Sequence, residues 1–111
     1  MLSERAGHVL AAIEDFEICL SDATAEMLKR DESRRLAVER SFEIICAAVR
    51  LLPDSAKVQQ PQIDWQAMAD LDSRLHDLYY CNNTDDLLGT ATRNLPALKA
   101  FAERVVRECH Q

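Results

Sequence analysis

Residue types suited to acid–base chemistry lie close together in one predicted helix, which runs from Trp65 to Asn83. Asp72 and His76 are four positions apart, so their side chains share one face of this helix. Tyr79 and Tyr80 lie near its end. An aspartate–histidine pair can act as acid and base or bind a metal ion. The same pair can also form a plain hydrogen bond or ion pair on the helix surface, and the sequence leaves both interpretations open.

The same helix must bury one face, because its apolar residues recur at intervals of three and four positions. These residues are Trp65, Met68, Leu71, Leu75 and Leu78. Asp64 is the predicted N-cap, and Ile63 in front of it is expected to pack onto the first turn. The paired Asn82 and Asn83 predict the end of the helix, since asparagine tolerates left-handed backbone.

The composition predicts an all-α protein. Of 111 residues only two are Gly and three are Pro, so turns are few and the segments between them are long. Helix-forming residues dominate these segments, and the β-branched alternation of strands does not occur. We expect one domain, residues 1–111, folded as an up-and-down bundle of four to five helices with its own core.

The first helix is predicted to start near Ser3 and to present one narrow, heptad-like apolar seam, which places it at the periphery of the bundle. Ser21 and Asp22 predict a bend, because both residue types favour caps over helix interiors. The seam consists of Ala6, Val9, Ile13, Phe16, Leu20, Ala23 and Met27.

The second helix is predicted to begin at Asp31 or Ser33 and to run to Leu52, where Pro53 stops it. It carries two adjoining apolar stripes. One contains Val38, Phe42, Ile45, Val49 and Leu52, and the other contains Ala37, Ile44, Ala48 and Leu51. So wide an apolar arc indicates either the central helix of the bundle or a face covered by another subunit. We expect a homodimer.

The remaining connections are short. A polar loop is predicted from Lys57 to Asp64. Thr84 is the predicted N-cap of the following helix, and Pro96 predicts a restart or a kink in the chain after it.

The formal net charge of −6 argues against a protein that coats nucleic acid non-specifically, because such binding depends on Lys and Arg neutralising phosphates. It does not exclude a local basic cleft. No apolar run is long enough for a transmembrane helix, and charged residues interrupt the apolar positions of the N-terminal segment, unlike a secretory signal. The expected location is the cytoplasm, without membrane association.

The cysteines do not indicate a metal site. Cys19, Cys46, Cys81 and Cys109 are widely spaced, whereas a zinc site needs closely spaced ligand pairs. We interpret them as small apolar fillers in a reducing compartment, and we predict no metal and no cofactor.

Three segments between Leu36 and Phe101 resemble a known family. They are LAVERSFEIICAAVRLL, PQIDWQAMADLDSRLHDLYY and DDLLGTATRNLPALKAF. In order and spacing they are similar to the HepT-like branch of the HEPN superfamily, in which an AVER-x-x-EII-x-x-A helix precedes a P-x-I-x-W loop, a motif helix and a D-LP-x-L segment. Trp65 and the Leu95-Pro96-x-Leu98 segment are the most specific points of the resemblance.

The resemblance implies a dimeric all-α bundle. Many such proteins are ribonuclease toxins paired with a minimal nucleotidyltransferase antitoxin, and they cleave RNA without a metal ion. Their motif is an Arg, a gap of four to six residues, a His, one further residue and a Tyr, and the two motifs meet across the dimer interface. In some pairs the nucleotidyltransferase adenylylates the Tyr.

This sequence departs from that motif. The family Arg falls on Asp72 and the family His falls on Asp77, while Tyr79 keeps the Tyr and is the candidate modification site. Arg74 and His76 lie nearby, but a shift of one residue turns a side chain by about 100° around the helix. Two carboxylates in place of a base and a cation are expected to repel RNA unless a metal or a basic partner neutralises them.

Three hypotheses follow. The leading one is a HepT-like protein of a toxin–antitoxin-type module with a degenerate nuclease motif and a binding or regulatory role, and whether it is an enzyme stays open. The second is an active, metal-independent ribonuclease toxin in which Arg74 and His76 take over catalysis, although Arg74 can instead pair with neighbouring carboxylates. The third is a structural helical dimer. The expected partners are a second copy and a minimal nucleotidyltransferase, with RNA as a candidate ligand.

Overall fold

The computed structural model describes residues 2–77 and 83–109, and every regular element in these ranges is a helix. The prediction of an all-α protein is therefore confirmed. In chain order the helices are α1 (Leu2–Leu20), α2 (Ala25–Arg30), α3 (Glu32–Arg50), α4 (Asp54–Val58), α5 (Trp65–Leu75) and α6 (Asn83–Cys109). The four longer helices form the predicted bundle, and α2 and α4 are short helices in its connections.

The core lies mainly where α1 packs against α3 and α6. Its centre includes an edge-to-face aromatic pair, Phe16 of α1 and Phe42 of α3, with ring centroids 6.1 Å apart. Such a pair adds about 0.5–1.5 kcal/mol beyond the burial of its apolar area. α5 packs on α3 and α6, so the helix with the candidate site residues rests on this core.

The bend predicted within the first helix is a complete break in the helix. α1 ends at Leu20, and Ser21 adopts a left-handed backbone with φ 49°. α2 then begins behind Thr24, whose hydroxyl accepts a hydrogen bond from the Met27 N–H at 3.2 Å. The break ends the apolar seam early, so Met27 is exposed rather than buried as predicted.

α3 begins where the sequence predicts, with the Asp31 carboxylate accepting a hydrogen bond from the Arg34 N–H at 3.1 Å. Its first apolar stripe is buried, whereas Ile44 and Leu51 of the second stripe are exposed. α3 ends before Pro53 as predicted, but the chain after it is helical again, because Pro53 is the N-cap residue of the short helix α4. The polar loop predicted from Lys57 therefore starts later.

The start of α5 is also as predicted. The Asp64 carboxylate accepts from the Ala67 N–H at 2.9 Å, and the Asp64 N–H donates to the Asn94 side chain of α6 at 2.8 Å. The prediction of a helix reaching Asn83 is wrong in its described part, because α5 ends at Leu75 and His76 occupies the C-cap position. Asp77 therefore lies beyond the helix.

The last helix is longer than predicted. α6 continues through Pro96, so the restart predicted there is wrong. Proline removes one helical hydrogen bond, and buried Leu95 and Leu98 on either side hold the helix against the core. Thr84 lies inside the first turn and is buried, instead of capping it. Within the described residues no helix is long and apolar enough to span a membrane.

Candidate functional site

The candidate site centres on an ion pair between α3 and α5. Asp72 of α5 points towards α3, and its carboxylate is only 9% exposed. Arg50, the last residue of α3, donates from Nη1 to Oδ2 of Asp72 at 2.6 Å. The Arg50 side chain is 63% exposed, so one end of its guanidinium holds the carboxylate while most of the group faces solvent. The buried negative charge of Asp72 is thereby neutralised.

The other oxygen of Asp72 lacks this support. Oδ1 is buried and accepts no hydrogen bond within the described part of the chain. A buried carboxylate with one unsatisfied oxygen is costly, so Asp72 depends strongly on its contact with Arg50.

A buried thiol lies near this carboxylate. Burial, with a smaller contribution from the charge of Asp72, raises the pKa of Cys46 to about 12. Its Sγ lies 3.8 Å from the Met68 carbonyl oxygen, to which it donates. Cys46 is therefore an unreactive thiol, because the thiolate is the nucleophile. The interpretation of the cysteines as fillers holds for Cys46 and is wrong for the exposed Cys109.

His76 closes the end of α5. Its Nδ1–H donates to the Asp72 backbone carbonyl at 2.7 Å, and its Nε2 lies 3.4 Å from the Glu43 carboxylate of α3. Nδ1 is 3.9 Å from Oδ1 of Asp72, so the two residues are joined through the backbone and not by a side-chain hydrogen bond. The hydrogen bond to the carbonyl and the nearby charge of Glu43 raise the pKa of His76. The protonated ring satisfies both acceptors.

Glu43 connects this cluster to a further cation. Its carboxylate lies 3.5 Å from Nη1 of Arg40, one turn earlier on α3. Charges of opposite sign thus alternate across the surface between the two helices, in the order Arg40, Glu43, His76, Asp72 and Arg50. Asp72, one of the two carboxylates expected from the sequence to be uncompensated, is therefore paired within this cluster, whereas Asp77 is not part of it.

The residues predicted from the motif do not all meet here. Arg74 and Asp77 are exposed at the end of α5, and the Asp77 N–H donates to the Arg74 carbonyl at 3.0 Å. Tyr79 lies outside the described residues, as does Tyr80. The sequence did not indicate Arg50 as a site residue, because no local spacing signals a partner 22 positions away.

The arrangement can bind an anion and can hold or release one proton. The exposed guanidinium of Arg50 is suited to phosphate or carboxylate, and His76 is the titratable group. Within residues 2–77 and 83–109, no group of three or more acidic, His or Cys side chains is arranged to hold a metal ion.

The raised pKa of His76 leads to a testable pH dependence. We expect its ring to titrate above the ordinary value of about 6.5. Because the folded-state pKa is raised, the stabilisation by the protonated ring is fully present below about pH 6.5 and is lost as the pH rises through the folded-state pKa. Glu43→Gln should lower the midpoint of the His76 ring resonance in an NMR titration. Glu26→Gln, which removes a carboxylate paired with Arg30 on α2, should leave it unchanged, and equal shifts in both variants would contradict the assignment.

Comparison with known proteins identifies the family. The family model described as "Ribonuclease HepT-like" matches residues 9–105. A "Probable ribonuclease HepT" of Thermococcus cleftensis is 30% identical over 104 residues, which is 92% of this chain and 90% of that protein. A "Putative RNase" of Methanocaldococcus jannaschii is 26% identical over 100 residues, covering 90% of this chain and 83% of that protein. No solved structure matches significantly. The chain therefore belongs to the HepT-like family of the HEPN superfamily.

Proposed function

We propose that this protein is a single-domain, RNA-binding member of the HepT-like family whose nuclease chemistry is weak or lost. The observation that carries the proposal is the burial of Asp72, the residue on which the resemblance places the family Arg. This residue is a buried carboxylate held by Arg50, so α5 supplies no cation at that point. Metal-free cleavage of RNA needs both a proton-transfer group and a cation for the charged phosphorane.

The state of His76 supports the same proposal. It is the histidine nearest to the family His position, which is Asp77 here. Its two nitrogens face the Asp72 carbonyl and the Glu43 carboxylate, and its raised pKa favours the charged ring. A general base must be neutral and must reach the 2′-hydroxyl of the RNA, and these contacts work against both requirements.

The second candidate function is an active ribonuclease toxin. It is favoured by the names of the matching family and relatives, which all describe ribonucleases. Arg74 and His76 would then act together, with Tyr79 as the residue open to adenylylation.

The proposal also includes a location and two protein partners. The protein acts in the cytoplasm as a homodimer, within a toxin–antitoxin-type module that includes a minimal nucleotidyltransferase. An adjacent gene encoding a nucleotidyltransferase would support the module, and its absence would favour a purely structural helical dimer.

An RNA cleavage assay separates the two candidate functions. Purified protein incubated with labelled single-stranded RNA and with bulk tRNA, in the presence of EDTA, should bind RNA without cleaving it at an appreciable rate. His76→Ala should then change the cleavage rate little. Loss of a true general acid or base reduces the rate by about 10²–10⁴, so rapid cleavage that falls this far in His76→Ala would instead establish the ribonuclease.

The homodimer is supported by the exposed apolar residues of α3. Ile44 of α3 is 45% exposed. Leu51, the C-cap residue of α3, is 56% exposed and follows Ile44 by seven positions, which places both on one side of the helix. Leu36, eight positions before Ile44, is also exposed on α3. Apolar side chains that share one face commonly mark a surface covered by a partner.

Charge introduced on this face tests the dimer. In light scattering, the wild-type chain should have twice the mass of one protomer, and Ile44→Glu combined with Leu51→Glu should reduce the mass to one protomer. The control is Ile18→Glu on α1, where the side chain is 75% exposed, and it should remain dimeric. A dimer unaffected by the α3 substitutions would contradict this interface.

A further inference from the structure

The site retains an arginine, but a different helix supplies it. The family motif has its Arg at the position of Asp72 on α5, whereas here the guanidinium at this point belongs to Arg50 of α3. Its Nη1 lies 2.6 Å from Oδ2 of Asp72. The aspartate therefore brings an arginine from α3 to the place where the motif arginine is missing.

The geometry leaves this guanidinium available to a ligand. A guanidinium has five N–H donors in a planar fork, and within the described residues the only partner of the Arg50 side chain is Asp72. The side chain is mostly exposed, and the carboxylate that anchors it is almost completely buried. A phosphate can thus approach the outer donors of Arg50 without meeting the negative charge of Asp72 directly.

A titratable ring lies beside the same carboxylate. His76 follows Asp72 by one helical turn, and its Nδ1 lies 3.9 Å from Oδ1 of Asp72. Arg50 and His76 therefore flank the two oxygens of one buried group. Because Glu43 already faces the His76 ring at 3.4 Å, Arg50 is better placed than His76 to bind an external anion.

We propose that Arg50 contacts a phosphate of bound RNA and that Asp72 is the positioning residue that holds Arg50 in place. The inference deepens the proposed RNA-binding function and rests on it. Arginine suits this role because its donors match two phosphate oxygens at once. The role of Asp72 is then opposite to that expected from the sequence, since it recruits a cation to the site and does not repel RNA.

The salt dependence of RNA binding distinguishes a phosphate contact from a purely structural ion pair. Anisotropy of a short, fluorescein-labelled single-stranded RNA would be measured at several salt concentrations for wild type, Arg50→Ala, Arg50→Lys and Asp72→Asn. Arg50→Ala should weaken binding on the order of tenfold at low salt and should reduce the slope of log K against log salt by about 0.7 per lost contact. Arg50→Lys should keep most of the slope, because the positive charge remains.

The aspartate variant tests positioning. Asp72→Asn retains Arg50 but weakens its anchor, so we expect reduced affinity with a smaller change in slope than in Arg50→Ala. The charge-matched control for Arg50→Ala is Arg30→Ala, which removes an exposed arginine that pairs with Glu26 of the same helix and should leave affinity and slope unchanged. Circular dichroism would verify that each variant is folded at the temperature of the assay.

The possible failures are distinguishable. Wild-type protein that does not bind the RNA would overturn the proposed function together with this inference. Wild-type binding with an unchanged slope in both Arg50→Ala and Arg50→Lys would overturn only the role of Arg50. Equal losses in Arg30→Ala and Arg50→Ala would show that total charge matters and not the position of Arg50, which also overturns the inference.

Discussion

The ion pair between Arg50 and Asp72 is the interaction on which the candidate site depends. A carboxylate that is nine-tenths buried needs a partner, because removing a charged group from water costs several kcal/mol. That partner comes from a residue 22 positions earlier, at the end of α3. The pair therefore holds α5, at Asp72, against the last turn of α3. It also determines which part of the Arg50 guanidinium is exposed to solvent.

The same interaction supports the proposed function, in which the site binds RNA without cleaving it. The guanidinium is occupied on one side, and the His76 ring is held by the Asp72 carbonyl and by Glu43. An imidazole whose two nitrogens are engaged in this way is less available as a general base, whereas an anchored and exposed arginine is well suited to bind phosphate. Under the proposed function, the departures from the family motif on α5 therefore affect cleavage more than they affect phosphate binding.

Much of the fold could be predicted from local patterns. The helix-forming composition predicted an all-α protein. The N-caps at Asp31 and Asp64 were also predictable, because each carboxylate accepts a hydrogen bond from a backbone N–H only three residues later. The buried stripe of α3 followed from its spacing. Pro96 misled the prediction because core packing outweighs the single hydrogen bond that proline removes.

The site could be predicted only in part. The spacing of Asp72 and His76 correctly indicated contact across one turn, but it could not show that the backbone carbonyl, and not the carboxylate, receives the ring N–H. Arg50 and Glu43 join the site through the packing of α3 against α5, which helical periodicity within either segment does not encode. The spacing of the apolar residues likewise did not predict that α5 ends before Asp77.

A double-mutant cycle on Arg50 and Asp72 tests the central claim most directly. Unfolding free energies of wild type, Arg50→Ala, Asp72→Ala and the double variant give the coupling between the two side chains. We predict a coupling of about 1–3 kcal/mol, because Asp72 is buried. The exposed pair Lys29–Asp85, with a similar distance of 2.9 Å, should give less than about 1 kcal/mol in the same measurement. A coupling near zero for Arg50 and Asp72, or one no larger than that of Lys29 and Asp85, would contradict the account.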